Sequence, residues 1–272
     1  MFCQNAIKEI TDGNPLTWMV EVNGLPIDVR MLPITMQRQA YAKGLIPYVP
    51  GDKKEDTGAK KETSAETQEE ITQDDKVTAG QAFEFLITLD MYDFEVWRRV
   101  TVPANITFRQ LHFVIQSSFN WLTYHMFDFS VYDNSEEGEM AAMVTEDDES
   151  SQYAGVGAKV YPLKTKIRAL LPKYRRVIYT YDYGDDWQHY CELVNVIDNY
   201  PNDYPVCTDG KGDAPPDDVG GESGYADFLA AIKDKKNPEH VEMKKWGKSQ
   251  RFEPFDISII NERLKKALSR KI

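Results

Sequence analysis

Three aspartates and a histidine crowd into one short stretch of this chain, Tyr179-Thr-Tyr-Asp-Tyr-Gly-Asp-Asp-Trp-Gln-His189. Carboxylates and imidazoles are the side chains that take up Mn2+, Mg2+ or Zn2+. Asp182, Asp185 and His189, joined by His125 from a separate segment, therefore make a candidate catalytic metal site for a hydrolase or nuclease. The same residues have a plainer use. Residues 177–183 alternate in the manner of a strand, residues 188–197 do so again, and Gly184 between them permits a bulge. Asp182 and Asp185 would then accept backbone N–H groups at the bulge, Tyr181 and Trp187 would enter the core, and His189 or His125 would bond a tyrosine or a carboxylate. A third use has Tyr181, Asp185, Asp186 and Trp187 lining a binding groove at a sheet edge. The structural use comes first in this ranking, the groove second and the catalytic metal last.

A second concentration of charge has the opposite sign. Lys164, Lys166 and Arg168, then Lys173, Arg175 and Arg176, surround Leu163, Ile167, Leu170 and Leu171. That spacing predicts a helix from Pro162 that stops before Pro172, because the residue preceding a proline avoids the helical region. Such a patch has the chemistry to face phosphate; as a solvated face it would simply answer the acidic stretch before it. Pro215-Pro-Asp-Asp-Val-Gly-Gly221 feeds another helix, and its glycines with Ser223 could offer N–H groups to an anion. Asp217 and Asp218 repel one, so this loop is expected to clamp the helix onto the sheet.

These segments need a scaffold, and the pattern supplies one. Residues 17–32 read as a hairpin turning at Asn23-Gly24, followed by a short helix over 34–43 with Gly44 past its end. Residues 51–80 are charged and poor in apolar side chains, the composition of a disordered linker. Phe83 to Leu89 and Phe94 to Val100 alternate as a second hairpin. Thr107 caps a helix in which Phe108, Leu111, His112, Ile115 and Phe119 share one face. His125 to Tyr132 reads as a strand, residues 136–149 as an acidic loop and residues 202–221 as a structured loop. Helices are expected over 223–235, from Pro238 to Trp246, and from an Asp256 N-cap to the end.

Composition limits the partners. The 272 residues carry a formal net charge of −12, which argues against general coating of nucleic acid and leaves only a local basic patch. Three cysteines, irregularly spaced, give neither a disulfide framework nor a C-x-x-C pair. No signal peptide and no apolar run of bilayer-spanning length is apparent, so a soluble, cytoplasmic protein is expected.

Taken in order, the motifs form a pattern. Val96-Trp-Arg-Arg99 precedes Val102-Pro103, then Leu111-His112 in a helix, then Trp121 with His125 and Phe129. After these come Tyr179 to His189, Pro215 to Gly221 with Gly224-Tyr225, and Phe252-Glu-Pro-Phe-Asp256. This resembles the plasmid pRiA ORF-three-like family, which includes insertion-sequence passenger proteins labelled TnpR, over about residues 81–268. The resemblance implies a compact α+β domain associated with mobile elements and no assigned activity. Relatives often carry two cysteines in the Pro-Pro loop; Ala214 and Val219 stand there in this chain, so a thiolate metal site is not expected. A resolvase would need a nucleophilic serine among arginines, and no such cluster stands out.

The reading is an α+β protein with a mixed, mostly antiparallel sheet, helices mainly on one face and possible β-grasp character. An N-terminal unit over 1–50 and a linker over 51–80 precede the domain at 81–272. The expected function is a non-catalytic recognition module that binds protein or nucleic acid without a cofactor. Tyr181, Asp185, Asp186 and Trp187, with Lys164, Lys166 and Arg168, would make its contacts. The alternative is a metal-dependent nuclease or hydrolase, with a divalent ion held by Asp182, Asp185, His189 and His125.

Overall fold

The structure, a computed structural model, describes residues 8–9, 19–22, 25–28, 80–134, 138–147, 151–152, 154–155 and 157–270. It falls into two units, Met1–Val77 and Thr78–Ile272. In the first, β1 (Lys8–Glu9), β2 (Met19–Val22) and β3 (Leu25–Asp28) form a small antiparallel sheet in that order, with Val22 opposite Leu25. The helix expected over 34–43, and the linker expected over 51–80 apart from Gly80, lie outside the described residues.

The second unit is built on an eight-stranded sheet. Its strands are β4 (Ala82–Leu89), β5 (Trp97–Pro103), β6 (Phe127–Tyr132), β7 (Met140–Val144), β8 (Lys159–Tyr161), β9 (Arg176–Tyr181), β10 (Trp187–Ile197) and β11 (Val206–Lys211). Their spatial order is β11-β5-β4-β10-β9-β6-β7-β8, antiparallel throughout except for the parallel pair β7–β8. Four α-helices among the described residues accompany it: α1 (Phe108–Phe119), α2 (Gly221–Lys233), α3 (His240–Ser249) and α4 (Ile257–Ala267). The class is α+β, as the sequence predicts. No helix among the described residues is long and apolar enough to cross a membrane.

Alternation sets the buried face of the sheet. Phe83, Phe85, Ile87 and Leu89 on β4, Tyr179 and Tyr181 on β9, and Trp187, His189, Cys191 and Leu193 on β10 are all buried. Helix α1 lies on that layer and is buried nearly all round, because α4 covers its other side: Arg263 Nε donates to Ser117 O at 3.0 Å. A capping box starts α1, in which Gln110 N donates to Thr107 Oγ1 at 3.1 Å and Thr107 N donates to Gln110 Oε1 at 2.9 Å. Asn120 ends it in the left-handed conformation, φ 60°.

Arg98 ties four segments together from inside. It is 2% exposed and donates to four carbonyls: Ser118 O at 3.1 Å, Trp97 O at 2.8 Å, Lys211 O at 2.7 Å and Gly212 O at 2.9 Å. Its guanidinium lies 5.1 Å from the Phe119 ring centroid and 4.4 Å from that of Phe255. Burial lowers its pKa to about 10, so it remains a cation at neutral pH.

Three sequence expectations need correction. The basic helix after Pro162 does not form; only a 3-10 turn at Ile167–Ala169 does. Its carbonyls are used elsewhere: Leu163 O and Thr165 O accept the N–H groups of Arg109 and Phe108, while Ile167 N donates to Ile106 O. The segment thus satisfies the free first-turn donors of α1 instead of coiling on itself. Residues 136–149 hold β7 as well as loop, and residues 202–221 hold β11. β11 is bulged between Cys207 and Asp209, and its outer edge is met by Asn261 of α4, which accepts from Cys207 N at 2.8 Å and donates to Cys207 O at 2.9 Å.

Candidate functional site

Four loops meet at the end of the sheet where β4, β9 and β11 finish and β5, β6 and β10 begin. They are residues 90–96, 120–126, 182–186 and 212–220. In all of them and Glu222 just beyond, the sequence places ten carboxylates and no lysine or arginine: Asp90, Asp93, Glu95, Asp182, Asp185, Asp186, Asp213, Asp217, Asp218 and Glu222. The motifs that look separate along the chain are here one cluster.

The turn at residues 182–186 is a tight hairpin connection and not a bulge within a strand, since Tyr181 and Trp187 are directly paired. Asp182 and Asp186 both take positive φ, 57° and 51°. Asp182 Oδ1 accepts from Gly184 N at 3.0 Å, and Asp182 N donates to Met126 O at 3.0 Å. Asp185 turns the other way and accepts from Gly220 N at 3.0 Å through Oδ2, joining this turn to the loop before α2. That loop is held at its far side by Trp121, whose Nε1 donates to Pro215 O at 2.6 Å. Gly224 lets the loop fold back, because a Cβ there would stand 1.8 Å from Val219 O.

His125 sits where the loops converge. Its Nε2 is 2.9 Å from Asp218 Oδ1 and 3.3 Å from Asp182 Oδ2. The second oxygen of each acid is occupied, Asp182 Oδ1 by Gly184 N and Asp218 Oδ2 by the Tyr124 hydroxyl. Burial raises the Tyr124 pKa and this hydrogen bond adds to it, so the hydroxyl stays a donor. Asp217, 1% exposed, accepts from Leu122 N through Oδ2. Its Oδ1 and the Tyr181 hydroxyl face one another without a hydrogen bond of good geometry.

The sequence-predicted residues therefore separate. His125 and Asp182 come together, with Asp218 as the third member; Asp185 and His189 are not part of the group. His189 is wholly buried among Phe119, Trp121 and Tyr179, ring centroids 4.8, 4.9 and 5.3 Å away, and neither ring nitrogen has a hydrogen bond of good geometry. Burial lowers its pKa to about 3, which makes it a neutral core ring. Tyr181 and Trp187 also lie in the core, stacked on or tilted against Trp121, and are not surface contacts. Asp186 is exposed. Lys164, Lys166 and Arg168 are exposed as well, but Lys166 bridges Thr107 at the start of α1, a helix about 18 Å long, whereas the acids surround its end. Asp218 as a partner of His125, and Tyr124, escaped the sequence reading. The acid pair embedded between Pro215-Pro216 and Gly220-Gly221 was the signal that could have found Asp218.

Burial pushes the Asp217 carboxyl up to about 6, with Asp218 adding to the effect and Leu122 N–H, His125 and Tyr181 opposing it. A carboxyl whose folded pKa exceeds its unfolded value near 4 binds its proton more tightly in the folded chain, so its contribution to stability grows as pH falls from 6 to 4. Asp217→Asn keeps an acceptor for Leu122 N and removes the ionisable group. Urea unfolding at pH 7.5 and 4.5 should show the variant's stability relative to the parent falling by about 1 kcal/mol at the lower pH, after allowance for solvent screening. A pH-independent difference would refute the assignment.

Fold and site define an α+β domain that gathers its acidic motifs at one end of a single sheet. Residues 81–263 match the model of the plasmid pRiA4b ORF-3-like proteins, and the chain belongs to that family. It is 28% identical over 166 residues to an uncharacterized protein, y4hQ, of Sinorhizobium fredii (strain NBRC 101917 / NGR234), covering 59% of this chain and 77% of that protein. The crystal structure of a protein of unknown function, MM3350 from Methanosarcina mazei Go1, is similar with a TM-score of 0.54 and 28% identity, over 66% of this chain and 98% of that one.

Proposed function

We propose that this protein is a non-catalytic recognition module whose acidic, tyrosine-studded sheet end docks a lysine- and arginine-rich segment of a partner protein. The observation that carries this reading is the coincidence of excess negative charge, of which Lys211 pairs only Glu95, with exposed tyrosines. Tyr92 (65% exposed), Tyr124 (52%), Met126 (49%) and Tyr183 (41%) stand on three of the four loops. Tyrosines are favoured at protein interfaces, and their ring faces attract cationic side chains. The remaining acids set the sign of the partner and steer its approach. Phosphate would be repelled here.

Fluorescence anisotropy with a labelled lysine/arginine-rich peptide, run in EDTA, tests the reading. Binding should weaken as salt rises and should fall at least about tenfold in a Tyr92→Ser, Asp186→Lys double variant. Labelled single-stranded DNA serves as the rival probe. Tighter binding of DNA than of peptide, lost on Lys164→Glu and Lys166→Glu, would overturn the proposal in favour of a nucleic-acid contact at the start of α1.

A further inference from the structure

We infer that His125, Asp182 and Asp218 form a binding site for one divalent first-row transition-metal ion, of the Mn2+ or Zn2+ type. The inference starts from a mismatch of charge and donors. One ring nitrogen, His125 Nε2, faces two carboxylate oxygens at 2.9 and 3.3 Å. A single N–H can point straight at only one of them, and an unprotonated nitrogen would point its lone pair at both. A cation between the three atoms resolves the conflict.

The spacing fits that role. Metal–ligand bonds of about 2.0–2.2 Å meeting at about 90–105° put neighbouring ligand atoms about 3.0–3.3 Å apart. Both carboxylate oxygens stand at about that spacing from Nε2, and all three atoms lie within 4.8 Å of one another, so a bound ion would draw the two carboxylates slightly together. Each carboxylate is also oriented by a donor on its other oxygen, Gly184 N–H for Asp182 and the Tyr124 hydroxyl for Asp218. Such outer partners fix ligands toward a metal.

Charge points the same way. Asp182, Asp218 and the adjacent buried Asp217 outnumber the single imidazole, and the four loops hold no lysine or arginine, so a bound dication would offset the excess negative charge. One nitrogen and two oxygens suit Mn2+ or Zn2+ better than Ca2+, which prefers six to eight oxygens. Asp218 is half-exposed, so water would fill the remaining coordination positions.

Titration of the full chain with Mn2+, followed by the loss of the free-ion electron paramagnetic resonance signal, tests this; Mn2+ has little affinity for the cysteines. One equivalent should bind, and Zn2+ should displace it. Affinity should fall at least about tenfold in His125→Gln and in Asp218→Asn, and by a smaller factor in Tyr124→Phe, which removes only the anchor of Asp218. Asp185→Asn should bind as the parent does, because Asp185 serves Gly220 N. Near-ultraviolet circular dichroism confirms that each variant is folded. Absence of stoichiometric binding, or equal binding by parent, His125→Gln and Asp218→Asn, overturns the inference. Peptide docking is measured in EDTA, so either proposal can fail without the other.

Discussion

Arg98→Met destabilises the folded chain by about 3–5 kcal/mol, seen as a lower urea midpoint with an unchanged slope. The size follows from what the guanidinium does. It is buried, and its donors satisfy the carbonyls of Trp97, Ser118, Lys211 and Gly212. Methionine fills much of the volume but leaves buried acceptors without partners, each costing about 1–3 kcal/mol where no water replaces the donor. Arg98→Lys should recover little, because one ammonium cannot reproduce a planar fork held between Phe119 and Phe255. A lysine variant as stable as the parent would show that charge alone is what the site needs.

His189→Phe should have the opposite sign at neutral pH and change the acid response most of all. Both ring nitrogens are buried with no hydrogen bond of good geometry, only weak approaches to the Tyr179 and Trp187 backbone, so an aromatic hydrocarbon loses little and relieves their desolvation. With its folded pKa lowered to about 3, His189 remains neutral while the unfolded chain takes up a proton near 6.5. Stability from this ring is therefore full above pH 6.5 and is lost as pH falls toward 3. The slope is about 1.4 kcal/mol per pH unit across the middle of that window. His112, also lowered to about 3 by burial, adds a second proton of the same sign. Asp217 and Asp128, both raised by burial, act against them in the upper part of the window. Comparing parent and His189→Phe between pH 4 and 6 isolates one proton. Parallel stability curves would mean that His189 is accessible to solvent.

His112 cannot be exchanged so freely. Its Nδ1 lies 2.7 Å from the Tyr179 hydroxyl, which also accepts from Gln116 Nε2 at 3.0 Å. The hydroxyl thus links His112 to Gln116 inside the core, a hydrogen bond that replacement of the ring by a hydrocarbon would lose. Two histidines at similar depth in one core thereby differ in kind.

Much of the fold was legible because it rests on local signals. The Thr107 cap with Gln110 three residues on, the alternation of β4, β9 and β10, and the Asp256 N-cap all declare themselves within a few positions. The segments misread are those whose backbone partners lie far away in sequence. Residues 163–167 have helical spacing, yet their polar groups belong to the start of α1. β11 has the composition of a loop, and pairing with β5 together with Arg98 holds it as a strand. The site was half legible for the same reason. The density of acids around Gly184 marked the right turn, but spacing cannot tell that Asp185 faces Gly220 while Asp182 faces His125. Nor can it show that Asp218, thirty-six positions beyond Asp182 in the numbering, completes the group.

The Asn261 side chain has a consequence for association. By imitating a neighbouring strand at Cys207, and with α4 lying alongside, it shuts one border of the large sheet against strand addition. The other border, β8, is three residues long and leaves Val160 open to solvent. Two copies meeting through β8 would leave only the Asn261-covered borders of their large sheets outermost, so extension of that sheet by this route stops at a pair.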